Sequence, residues 1–225
     1  MKYILLLCAS LAAASPASAE TPRELLTQAS FQDRDKAAAL RRVGAAHAAA
    51  TLMLQRRPDD REAALMQATA LGYRAKLTGS RSDAIAARKS MERLVAAYPR
   101  DAERHLVLGA WHMGAVYRLG RVVARAALGA SKPVGITSLD RAVALGGDRA
   151  MVSGIAALLR LQMDPGDARG RALIEAAARA NAPTPLDRHV QRAAQAMLTP
   201  LRAGDTDAIR RFAARLLPFG HIDAN

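Results

Sequence analysis

Apolar residues recur at spacings of three and four along almost the whole chain, and no stretch alternates with period two. Over residues 35–54, Leu40, Val43, His47, Ala50 and Leu54 form one stripe, with Arg41, Arg42 and Gln55 off it. Pro58 stops that helix, and Asp59 with Glu62 opens the next in a capping-box-like arrangement, a carboxylate accepting from free backbone amides. The second helix runs to about Leu77 and ends in Thr78-Gly79-Ser80. Over residues 83–98, Ala84, Ala87, Met91, Leu94 and Tyr98 share a face that excludes Arg88, Lys89, Glu92 and Arg93. Pro99-Arg100-Asp101 breaks this segment and caps a fourth helix over residues 102–128.

The first half of that fourth helix is apolar nearly all round, which predicts packing on several sides and a place at the centre. Gly109, Gly114 and Gly120 interrupt it, each costing about 1 kcal/mol against alanine, a cost tolerated where a neighbouring helix must come close. Residues 129–136 read as the longest non-helical connection, followed by a short helix from Thr137 that Gly146-Gly147 ends. Further helices are expected over 149–162, 168–179, 186–201 and 207–217. The fold class is therefore all-α, about nine helices in antiparallel pairs, because the connections between them are short.

The N-terminus departs from this pattern. Met1 and Lys2 precede a charge-free run over 3–14, and Ala17-Ser18-Ala19 supplies the small-x-small site of a signal peptidase. Residues 1–19 are expected to be a cleaved secretory signal peptide, leaving 225 − 19 = 206 residues as a single domain, 20–225, in the periplasm. The run is far short of the roughly 20 residues that a retained anchor needs. Leu5-Leu6-Leu7-Cys8 vaguely resembles a lipobox, yet cutting there would leave too little hydrophobic segment for export. Cys8 is the only cysteine, so the mature chain lacks a thiol for disulfides, nucleophilic catalysis or zinc. Past the leader, the most apolar stretch, 106–117, is too short to span a membrane and contains His112.

The 33 basic and 20 acidic residues give a net charge of +13, which falls to +12 once Lys2 leaves with the leader. Such a balance suits nucleic acid, but export opposes it, and aromatics at 4% are too few for base-stacking platforms. GC-rich coding gives the same Ala/Arg-rich composition without any functional pressure, so charge alone does not choose a partner.

Leu71-Gly72, Leu108-Gly109, Ser153-Gly154 and Arg192-Ala193 place a small residue where paired helices would cross, 37, 45 and 39 residues apart. The tetratricopeptide unit carries such a residue in its first helix and repeats every ~34 residues. Residues 84–99 and 208–218 fit its second helix, with alanine, a bulky residue and a closing proline. The chain thus resembles a divergent tetratricopeptide-like α-solenoid. Residues 101–145 are more distinctive. Leu106-Val107-Leu108-Gly109-Ala110-Trp111, the basic run to Leu128-Gly129, and 138–145 from Ser138 to Leu145 are similar to bacterial proteins like the regulator of microtubule dynamics, and to the periplasmic tetratricopeptide subunit of TRAP transporters. Gly146-Gly147 departs from that family's aspartate-proline close. The resemblance implies an interaction or carrier-associated role and transfers no catalytic residue.

Asp101, His105 and His112 lie at helical spacings of four and seven, but no further ligand joins them, and Asp101 already serves as a cap. Serine-hydrolase elbows, phosphate loops and zinc-protease motifs do not occur. No catalytic residue, cofactor or metal is assigned. The candidate binding residues are Trp111, Tyr117, Arg118, Arg121 and Arg125, because three cations at spacings of three and four beside two aromatics make a stripe. On a concave solenoid surface that stripe would bind an acidic peptide, a small carboxylate ligand or an anionic envelope polymer. The competing reading makes Trp111 core and the arginines a solvated face. The expected function is a periplasmic scaffold or adaptor for another envelope protein. The alternatives are a transporter-associated small-molecule accessory with its ligand near Trp111, and an enzyme.

Overall fold

Short polar side chains in extended backbone set most helix starts by accepting free amide hydrogens. In the computed structural model of the protein, which describes residues 20–222, Thr21, Asp35, Asp60, Ser80, Asp101, Asp167, Thr184 and Asp205 each accept from the backbone three residues on. The leader expected over residues 1–19 lies outside the described residues. Eleven helices and no strand occur among the described residues. They are α1 Pro22–Phe31, α2 Lys36–Arg56, α3 Arg61–Thr78, α4 Arg81–Ala97, α5 Ala102–Leu119, α6 Arg121–Leu128, α7 Lys132–Gly146, α8 Ala150–Met163, α9 Ala168–Ala177, α10 Pro185–Ala203 and α11 Thr206–Leu216.

The all-α class holds, and the count differs from nine for two local reasons. Helix α1 carries only a few apolar positions, but Pro22 at its start and a capping box between Thr21 and Glu24 fix it. The helix expected over 102–128 is broken at Gly120, whose φ of +73° and ψ of 161° lie where only glycine sits without strain. The 129–136 connection is also shorter than expected. Helix α7 already begins at Lys132, with Pro133 in a first turn whose amides need no helical acceptor. Asp60, one residue after the expected Asp59, caps α3.

The helices pack as pairs, α1 on α2, α3 on α4, α5 on α7, α8 on α9 and α10 on α11. Each second helix also meets the first helix of the next pair, and the first helices α1, α3, α5, α8 and α10 form a row. This is an all-α helical repeat, with α6 an extra piece inserted between the members of the third pair. Helix α5 is the third of the five in that row, as its apolar first half predicts, and α8 beside it is the more deeply buried. Twelve of the fourteen residues of α8 are buried, against seven of eighteen in α5, whose last three residues are exposed.

Three glycines sit at crossings. A Cβ on Gly72 would come 3.3 Å from Met91 Cε of α4, and one on Gly154 would come 2.4 Å from Val190 Cγ1 of α10. On Gly109 it would come 2.8 Å from Leu139 Cδ2 and 3.1 Å from the Gly135 carbonyl of α7. Leucine at 109 would force α5 from α7, so Gly109→Leu should destabilise the fold by about 1 to 3 kcal/mol despite its better helix propensity. The shift in urea midpoint measures this, and an unchanged or raised midpoint would contradict the close approach.

At one edge of the row, the beginnings of all five first helices are laced by charge. Glu62 accepts from Arg23 at 2.6 Å, Arg23 reaches Glu103 at 2.7 Å, Glu103 accepts from Arg149 at 3.1 Å, and Arg149 donates to buried Asp187 at 2.9 Å. The C-terminal segment returns across the row. Helix α11 lies on α8 and α10. Phe219 is fully buried in the α1–α3 core, with its N–H donated to the Ser30 carbonyl at 2.8 Å and its ring edge-on to Tyr73 at 4.9 Å. The segment from α11 to Ile222 therefore covers first helices towards both ends of the row.

Candidate docking site

The far end of α5 and the whole of α6 form a corner at the opposite end of α5 from the ion-pair chain. Eighteen residues of helix separate the two by about 27 Å. Gly120 makes the corner: its N–H closes α5 on the Val116 carbonyl at 2.9 Å, and its own carbonyl opens α6 by accepting from Ala124 at 3.0 Å. Helix α6 then lies against α5 and α4. Arg81 Nε donates to the Ala127 carbonyl at 3.0 Å, and the Arg88 guanidinium stands over Gly129, which ends α6 in left-handed backbone.

Only Ala124 of α6 is buried. Val122 is 81% exposed and Val123 54%, and Tyr117 and Leu119 are exposed just before the turn. Arg118, Arg121 and Arg125 are exposed among them. Arg118 is held by a 2.6 Å hydrogen bond to the Lys76 carbonyl. Arg121 and Arg125 have no hydrogen-bond or ion-pair partner among the described residues. No aspartate or glutamate occurs between Glu103 and Asp140, so no acidic residue of the segment offsets this charge.

The structure thus brings Tyr117, Arg118, Arg121 and Arg125 to one corner, and Trp111 packs against the Val116–Ala124–Ala130 cluster that seats α6. Trp111 is half-buried against the Ala68–Met91–Leu108 cluster, edge-on to His112 at 5.0 Å, and closes the space between α3, α4 and α5. Tyr117 and Arg118 lie on α5, within the first-helix row, and Arg118 reaches α3 of that row, whereas Arg121 and Arg125 follow the turn. Because Gly120 turns the chain, α6 folds back against α5 and also meets α4. The residues sequence reasoning passed over are Leu119, Val122 and Val123. Beyond Tyr117, only the cations of the expected 102–128 helix stand out in the sequence, and the structure shows these three apolar side chains exposed around the glycine break.

A cleft of about 390 Å³ lies at the ion-paired edge, lined by Glu62, Arg100, Glu103, Arg104 and Arg149 among others. Three of its carboxylates, Glu62, Asp101 and Glu103, are engaged by Arg23, Arg104 and Arg149, and Asp148 also lines it. Of the spaced metal-ligand candidates, Asp101 caps α5 and pairs with Arg104, and His105 Nε2 lies 3.0 Å from the Pro99 carbonyl. His112 is buried, its Nδ1 accepting from Ser131 N–H at 3.2 Å, and burial first, then the Arg88 charge, pull its pKa down to about 4. Compared with family profiles, curated proteins and solved structures, the chain matches none.

Proposed function

We propose that this chain is an exported, tetratricopeptide-like adaptor of the cell envelope that acts by docking and not by catalysis. Its docking element is the α5–α6 corner, and its counter-surface is acidic. The observation that carries the reading is the interleaving of exposed Val122 and Val123 with unpartnered Arg121 and Arg125 in a stretch free of carboxylates. Solvated faces need no bare valines, and buried faces need no free guanidiniums. Side chains of both kinds at one corner serve a partner that is apolar and anionic together. The first-helix row is a poorer docking surface, since α11 and Phe219 already cover part of it.

The test is capture from envelope extract by the wild type and by Arg118→Gln, Arg121→Gln, Arg125→Gln combined. The substitutions remove exposed groups, so the melting temperature should barely move. Capture should fall, because glutamine cannot supply a cationic fork, and wild-type capture should weaken as salt rises, exposed charges being screened over about 8 Å. Undiminished capture by the folded variant would return the arginines to the solvent. If loss of the Arg118–Lys76 bond lowers the melting temperature, the Arg121→Gln, Arg125→Gln pair repeats the test without it.

A further inference from the structure

We infer that the acidic counter-surface is an anionic lipid bilayer, with Val122 and Val123 entering its interface and Arg118, Arg121 and Arg125 lying among lipid phosphates. This rests on the docking reading above and names the partner of the same corner. Four features favour a bilayer over an acidic protein. First, the two valines are neighbours on one short helix, about 100° apart, so they spread over a convex turn. A protein partner would need a hollow shaped for that ridge, whereas a fluid headgroup layer closes around it. Second, Arg121 and Arg125 have no partner to hold them. Specific carboxylate recognition gains from a fork fixed in advance, while a mobile array of phosphates accepts guanidiniums wherever they swing.

Third, cations flank the apolar pair within one turn on either side, the pattern of helices that lie in an interface with arginine stems reaching outward. Tyr117, three residues before Gly120, adds an exposed amphipathic ring of a type enriched at headgroup depth. Fourth, the acid-free stretch from Arg104 to Leu139 removes the repulsion that a carboxylate would meet at an anionic surface. No helix among the described residues is long and apolar enough to cross a membrane, so the contact is peripheral.

The experiment is flotation of the exported chain with large vesicles of phosphatidylcholine alone, or of phosphatidylcholine mixed with phosphatidylglycerol. Lipid-free acidic proteins of the envelope extract, immobilised, form a separate arm. The wild type should float with the anionic vesicles, release as salt rises, and stay behind with the neutral ones. Each guanidinium near an anionic surface strengthens partition about fivefold, so Arg121→Gln, Arg125→Gln should lose about 25-fold. Val122→Asp, Val123→Asp should lose at least as much, because it places carboxylates in the interface, and as both sites are exposed its melting curve should match the wild type. A single Val122→Trp reporter should shift its fluorescence to the blue on anionic vesicles. If the valine variant floats like the wild type, insertion is overturned and only adsorption remains. If the protein ignores anionic vesicles but is retained by lipid-free acidic proteins, the lipid assignment falls and the adaptor reading stands. If it binds neither, both fall.

Discussion

Replacing Asp187 with alanine should lower the unfolding free energy by about 3 kcal/mol, the combined loss of a helix cap and charge-assisted hydrogen bonds in a dry site. Asp187 is 0% exposed at the third position of α10. One oxygen accepts the Met151 amide at the start of α8 at 3.1 Å, and the other accepts from the Thr184 hydroxyl at 2.7 Å and from Arg149 at 2.9 Å. Burial alone would raise its pKa, but the hydrogen bonds from Arg149, Thr184 and Met151 outweigh it, and the pKa falls. A carboxylate held below its ordinary pKa stabilises the fold above the unfolded value, and loses that contribution as pH falls through the folded one. Asp187→Ala leaves the Met151 amide without its acceptor and strips Arg149 of one of two carboxylates. Asp187→Asn keeps an acceptor for Met151 and should cost less. Urea titrations at neutral pH compare the three proteins, and a loss under about 1 kcal/mol for alanine would mean that water replaces the carboxylate.

Asp187 also marks where sequence reading stops. Helix periodicity is local, and the all-α class, the caps at Asp101 and Thr78-Gly79-Ser80, and the close approaches at Gly72, Gly109 and Gly154 follow from residues a few positions apart. The ion-pair chain joins Arg23 to Glu103 and Arg149 to Asp187, partners 80 and 38 residues apart that leave no local trace. The same holds for Phe219, which finds its pocket against Ser30 and Tyr73 from the far end of the chain. At the candidate site, the cations were legible because spacings of three and four are visible in the letters. Their setting was not. A glycine inside an apolar run reads equally as a packing notch, which Gly109 is, and as a break, which Gly120 is. The two differ only in backbone conformation, and that choice decides whether Val122 and Val123 face the core or the solvent. Trp111 shows a second limit: the letters place it near the basic stripe, but not that its half-buried ring packs both on the α3–α4–α5 junction and on the Val116–Ala124–Ala130 cluster.

Acidification should weaken the fold well above the range where carboxylates titrate, and His112 should carry the largest share. Its ring is 2% exposed on α5. Nδ1 accepts the Ser131 amide, so the proton of the neutral ring sits on Nε2, which has no hydrogen-bond partner. Protonation would put a second donor against the Ser131 N–H and a charge in a dry site near Arg88, which explains a pKa lowered to about 4 from the ordinary 6.5. The sign follows from proton binding. Between those values the unfolded chain holds a proton on this histidine and the native chain does not, so stability is full above pH 6.5 and drains as pH falls towards 4. At about 1.4 kcal/mol per pKa unit, the loss attributable to His112 reaches about 3 kcal/mol at the lower end. His47 and His189 are shifted the same way, by burial first and by neighbouring cations second, and add to the slope. His112→Asn separates the contributions. The asparagine oxygen stands near the position of Nδ1 and can still accept from Ser131, but it does not titrate. The variant should be less stable than the wild type at neutral pH, where a cavity and weaker packing against Trp111 and Met113 cost it, and should lose far less on acidification. Urea titrations at pH 7 and at pH 4.5 give the two slopes. Equal slopes would mean that the native ring takes up its proton at an ordinary pH, which requires water to reach Nε2 through the α5–α7 contact, and the sealed site described here would then be open.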